Sequence, residues 1–101
     1  MAVYVDDFRL QAIVNGMNRR WSHLVADSSE ELTVFARRLG LSAAWIQKHG
    51  TRGEHFDVTD SMRLKAIALG AEPISYFELH TMQSGAPRDA AVSPTLTPAL
   101  W

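Results

Sequence analysis

Between Ser28 and Gly40 the chain carries a helix signature with both ends marked, and this constrains what the rest of the fold must supply. Ser28-Ser29-Glu30-Glu31 is a capping box, with Ser28 as N-cap and Glu31 at the third helical position. Leu32, Phe35, Ala36 and Leu39 recur at helical spacing, Arg37 and Arg38 occupy the last turn, and Gly40 is the expected left-handed stop. A helix with one apolar stripe must bury it against another layer.

Alternating runs provide that layer. Ala2 to Val5 reads as a short strand ending in Asp6-Asp7. In Trp21 to Ala26, alternation sets Trp21, His23 and Val25 on one face and Ser22, Leu24 and Ala26 on the other. Glu54 to Thr59 places Phe56 and Val58 toward the core and turns His55 and Asp57 outward together, about 7 Å apart along the strand. A second helix is expected from Thr59 or Asp60 to Gly70, burying Leu64, Ile67 and Ala68 and leaving Arg63 and Lys65 outside. Ala71 to Ile74 is a brief extended piece, and the capping box Ser75-Tyr76-Phe77-Glu78 opens a short helix through about Met82. The segment Phe8 to Arg20, with Leu10, Ile13, Val14 and Met17 at helical spacing and Asn15-Gly16 inside it, reads as irregular or weakly helical. The expected fold is a small mixed α/β domain, a sheet of three to five strands with two or three helices packed on it.

Composition bounds the rest. The 101 residues suit one domain, read as a compact unit over 1–83 followed by a flexible Pro/Ala/Ser/Thr tail over 84–101 with an apolar end. Ten basic against eleven acidic residues, net charge -1, argue against tight nucleic-acid binding. The N-terminus shows neither a signal peptide nor a membrane span, and the absence of cysteine excludes disulfides and thiolate metal sites. A cytoplasmic protein is expected.

The unusual polar chemistry lies between Trp45 and Asp57, where His49, His55, Gln47, Arg52 and Glu54 accompany Gly50 and Gly53. The run Thr51-Arg52-Gly53 lacks the glycine spacing and Lys-Ser/Thr of a phosphate-binding loop.

Seven separated motifs, Tyr4-Val5-Asp6-Asp7, Trp21-Ser22-His23-Leu24-Val25-Ala26-Asp27, Glu30-Glu31-Leu32, Arg38-Leu39-Gly40-Leu41, Trp45-Ile46-Gln47, His55-Phe56-Asp57 and Ala66-Ile67-Ala68-Leu69-Gly70-Ala71, occur in an order that resembles a family of small bacterial and phage proteins, domain of unknown function 4031. The resemblance covers about residues 1 to 80, with Phe56 where tyrosine is expected, and implies a unit of this size but no activity.

Two classes of function follow from the residues. In the first, Asp6 or Asp7, His23, Gln47, His55 and Asp57 converge from strand ends into a His/Asp pocket, within roughly 10 Å of one another, able to bind a divalent metal or do acid-base hydrolysis on a phosphate-containing small molecule or nucleotide. His55, Asp57 and His23 are then the catalytic candidates: His55 as base or ligand, His23 as second imidazole, and Asp57 with Asp6 as ligands or orienters. Gln47 and Arg52 would position substrate, and Asp6 and Asp7 are the further metal-ligand candidates. In the second class these groups are separately satisfied, His23 on a backbone carbonyl and Asp57 at the cap of the second helix. The protein is then an adaptor that binds a protein partner through its surface or tail.

Overall fold

In the computed structural model, residues 2–14 and 16–84 are described. They form a five-stranded mixed sheet with three helices, α/β as expected. The strands are β1 (Val3–Val5), β2 (Leu10–Val14), β3 (Met17–Ala26), β4 (Phe56–Thr59) and β5 (Glu72–Pro73), and the helices α1 (Ser29–Leu39), α2 (Asp60–Ala68) and α3 (Tyr76–Ser84). A single 3-10 turn, Ala43–Trp45, lies between α1 and β4.

Strand β3 is the spine. Leu24 pairs with both Val5 and Phe56, and Trp21 with both Leu10 and Thr59. Each residue has one partner per edge, so β1 and β2 share one side of β3 and β4 takes the other. All three run antiparallel to β3, while β5 joins β1 in parallel. Between Val5 and Leu10 the chain spends four residues, Asp6 to Arg9, opposite only Ser22 and His23. Such an excess bends the strand out of the ladder. Arg9 carries the strain in a left-handed conformation, φ 48, and its N–H donates to Ser22 Oγ at 3.1 Å.

The irregular or weakly helical reading of Phe8 to Arg20 is corrected: Leu10–Val14 and the first half of β3 form a hairpin, with Gly16 at φ 78 in the turn. A spacing of three and four residues also arises when two strands fold back across Asn15-Gly16, a strong hairpin signal.

The helix termini follow the residues that encode them. Ser28 Oγ accepts from Glu31 N and Gly40 stands at φ 87, with its N–H and that of Leu41 closing on Arg37 and Ala36 carbonyls. Thr59 Oγ1 caps α2 by accepting from Met62 N. Ser75 and Glu78 exchange backbone-to-side-chain bonds at the start of α3, at 2.8 and 3.0 Å.

The two sheet faces are covered differently. Val5, Leu24, Ala26, Phe56 and Val58 meet Leu32, Phe35, Ala36 and Leu39 of α1 and Ala66 of α2 in the main core. Burying each large aliphatic or aromatic side chain there contributes about 1.5–3 kcal/mol. On α2 the expected stripe is corrected: Leu64 is 64% exposed and Ala68 exposed, whereas Met62, Ala66, Ile67 and Leu69 face the core. Arg63 is not simply outside, because its Nε donates to the Asp6 carbonyl at 2.7 Å and ties α2 to the bulged segment. The opposite face carries a smaller cluster, Val25, Ile74 and Leu79 with Tyr4 and Tyr76, beneath α3. His23 lies beside this smaller cluster, its ring 5.8 Å from that of Tyr76 at the start of α3, and His55 adjoins it edge to face. Beyond Ser84, the expected tail lies outside the described residues.

Candidate metal centre

Alternation along β3 and β4 brings His23, His55 and Asp57 to one face, since His23 pairs with Asp57 across the ladder. One ligand atom from each lies within 4.8 Å of the others. The two imidazole rings meet edge to face, 5.2 Å between centroids at 82°. His55 Nε2 stands 3.3 Å from Asp57 Oδ1. His23 and His55 are buried, and Asp57 is partly open.

Each of the three is held by a further group. His23 Nδ1–H donates to Asp6 Oδ2 at 2.7 Å, and the backbone N–H of His23 donates to Asp6 Oδ1 at 2.8 Å. His55 Nδ1–H donates to the Gly53 carbonyl at 2.7 Å. Gln47 Nε2–H donates to Asp57 Oδ2. Gln47 reaches that position because its backbone forms a two-bond bridge with His55, at 2.9 and 3.1 Å. A carbonyl can only accept, so the His55 proton sits on Nδ1 and Nε2 is the nitrogen turned to Asp57. Burial pushes the His23 imidazole below its ordinary value, although Asp6 pulls it the other way. His23 is therefore neutral near pH 7, with its proton on Nδ1 and its lone pair on Nε2.

Other expected site residues are placed differently. Asp6 is fully buried and acts through His23, the orienting role read for it and not that of a direct ligand. Asp7 does not join the cluster; its Oδ1 accepts from Tyr76 N at 2.8 Å and anchors the start of α3. The bulge turns these adjacent carboxylates to separate tasks. Arg52 is buried, 7% exposed, in the loop before β4 and is not one of the three clustered ligand groups. The alternative arrangement, His23 on a backbone carbonyl and Asp57 capping α2, is not found, because Asp6 holds the one and Gln47 the other.

Several residues take roles that the sequence reading did not assign. Glu54, 1% exposed, accepts from Ser29 Oγ at 2.9 Å, His49 Nδ1 at 2.6 Å and Gly50 N at 3.3 Å, clasping the loop to the start of α1. Phe8 and Tyr76 stack at 4.3 Å, and Phe8 lies on His23 at 5.1 Å. Periodicity could not find them, since Phe8 lies in the bulged segment and Tyr76 is the first residue of α3. Their positions were marked only by neighbouring polar groups, because Asp6 Oδ1 accepts Phe8 N at 3.2 Å and Asp7 holds Tyr76.

The fold and cluster define an α/β domain with two imidazoles and a carboxylate gathered where a bulged strand meets the sheet. The family model described as Protein of unknown function (DUF4031) matches residues 3–86, and the chain belongs to that family. Neither a curated protein nor a solved structure matches it significantly. Among the described residues no helix is long and apolar enough to cross a membrane.

Proposed function

We propose that His23, His55 and Asp57 form the protein ligands of one divalent transition-metal ion, and that the ion activates water for hydrolysis. The observation that carries this is the oriented triad: three ligand atoms within 4.8 Å, each on a side chain whose other polar atom is already held, by Asp6, Gly53 and Gln47. Metal-binding histidines ordinarily donate their second N–H to a carboxylate or carbonyl, which fixes the tautomer and raises ligand basicity. Tetrahedral zinc with bonds of about 2.0–2.1 Å sets its ligand atoms about 3.3 Å apart. The 3.3 Å between His55 Nε2 and Asp57 Oδ1 matches one such edge.

Two imidazoles and one carboxylate leave a coordination position for water, and zinc lowers the pKa of bound water to about 7. With His23, His55 and Asp57 all engaged in holding the ion, none of the three would be left to act as base, and the ion would supply the activation of water. Asp6 keeps His23 in the Nδ1–H tautomer, and Gln47 holds Asp57 through the oxygen not facing His55.

Dialysis of the full chain against Zn2+, followed by elemental analysis, tests the reading. One equivalent per chain is expected, lost in His55→Ala and in Asp57→Ala. At a free zinc concentration 100 times Kd the melting temperature should rise by about 10 °C or more. Stoichiometric zinc that survives both substitutions, or no retained zinc, overturns it.

A further inference from the structure

Beside the triad an open cleft of about 380 Å³ runs along the bulged edge of the sheet, and both His23 and Asp57 reach its wall. Phe8, Leu10, Ala12, Val14, Trp21 and Tyr76 make up the remainder. Among the described lining residues there is no lysine or arginine. Two nearby arginines are engaged elsewhere: Arg9 forms a two-bond pair with Asp60 at 3.0 and 2.8 Å, and Arg63 holds the Asp6 carbonyl. The aromatic part of the wall is held in place. Tyr76 and Phe8 stack on each other with their backbones pinned by Asp7 and Asp6, and Trp21 Nε1–H donates to the Ala12 carbonyl at 2.9 Å.

A phosphate ester would bring its charge beside Asp57 into a wall without cations, where it would lose hydration and gain no ion pair. A flat uncharged ring would instead bury apolar area against rings already ordered, at little entropic cost. The volume falls within the range of small-molecule sites. We infer that this cleft takes a neutral carboxylic ester or amide bearing a flat aromatic group, with the ring against Phe8, Trp21 and Tyr76 and the carbonyl directed at the His/Asp cluster. The hydrolytic step rests on the metal reading above. Hydroxide on the ion adds to the carbonyl carbon, the bond from that carbon to the leaving oxygen or nitrogen breaks, and the leaving atom takes up a proton. Water is the only co-reactant, and the products are a carboxylic acid and an alcohol or amine.

Calorimetric titration of the metal-free full chain with 2-naphthamide and with 2-naphthyl phosphate separates the ligand classes. The amide should bind about 10-fold or more tightly than the phosphate, a difference of about 1.4 kcal/mol. Phe8→Leu should weaken amide binding by about 2- to 10-fold, the worth of an aromatic contact. Ala12→Phe, which fills the cleft from the edge strand, should abolish it and serves as the second variant should Phe8→Leu misfold. In zinc-loaded protein, 2-naphthyl acetate should be hydrolysed and 2-naphthyl phosphate left intact. Equal or tighter binding of the phosphate, or amide binding indifferent to both substitutions, overturns the inference even where zinc is retained. Failure to retain zinc with amide binding intact removes the metal reading and leaves the ligand class standing.

Discussion

Asp6 grips His23 twice, accepting the backbone N–H through one carboxylate oxygen and the ring Nδ1–H through the other, at 2.8 and 2.7 Å. The residue directly across the ladder from the bulge is thus fixed in position and in tautomer by one fully buried side chain. This couples the stability of the strand junction to the chemistry of the cluster.

Removing that carboxylate should therefore have two separable effects. Asp6→Ala leaves the His23 and Phe8 donors buried without acceptors and is expected to cost about 3–5 kcal/mol in urea unfolding. Asp6→Asn keeps shape, but its amide can donate to Nδ1, moving the ring proton to Nε2. Zinc affinity should then fall about 10- to 100-fold while the protein remains folded. Unchanged zinc affinity in the folded Asn variant would exclude the tautomer argument.

The pH dependence of stability follows from His23. Its folded-state pKa lies below the ordinary value near 6.5, since burial, helped by the neighbouring His55, outweighs the opposing pull of Asp6 and Asp57. On acidification the unfolded chain takes up the proton first. Stability is thus fully present above pH 6.5 and declines as pH drops below that value toward the depressed folded pKa. The urea midpoint should decrease through that window, and His23→Gln should flatten this part of the profile. A midpoint that rises on acidification there would reverse the sign.

Glu54 and His49 share a contact but should not share its energetics. Glu54 is buried and gathers three donors, whereas the His49 side chain is 69% exposed. Glu54→Ala is expected to destabilise by about 2–4 kcal/mol, and His49→Ala by less than about 1 kcal/mol because solvent replaces its contact. Comparable losses from the two would show that the histidine holds the loop.

At Gly40 the cost is conformational. The residue sits at φ 87 with open space around its Cα, so an added Cβ meets no neighbour and strain comes from the backbone alone. Gly40→Ala should lower stability by about 1 kcal/mol, and Gly40→Asn by less, as measured by thermal unfolding.

What could be read from the residues was whatever one element decides for itself. Period-two alternation assigned His23 to the face opposite Leu24, and His55 and Asp57 to the face opposite Phe56 and Val58, because side chains in a strand have no other choice. Ser28, Glu31, Gly40, Ser75 and Glu78 marked helix ends because orphan backbone groups there need local partners. The tertiary structure decided what depends on an element's neighbour. The apolar residues from Leu10 to Met17 suit a helix turn or two hairpin strands, and pairing with β3 selected the strands. Leu64 and Met62 are both apolar, but only contact with the sheet determined that Met62 faces the core. The roles of Asp6 and Asp7 were separated in the same way: four residues set against two forced a bend, which turned one carboxylate onto His23 and the other onto Tyr76. Local rules carry no information about such a bend, because it follows from the mismatch in length between two strands that meet only in the folded chain.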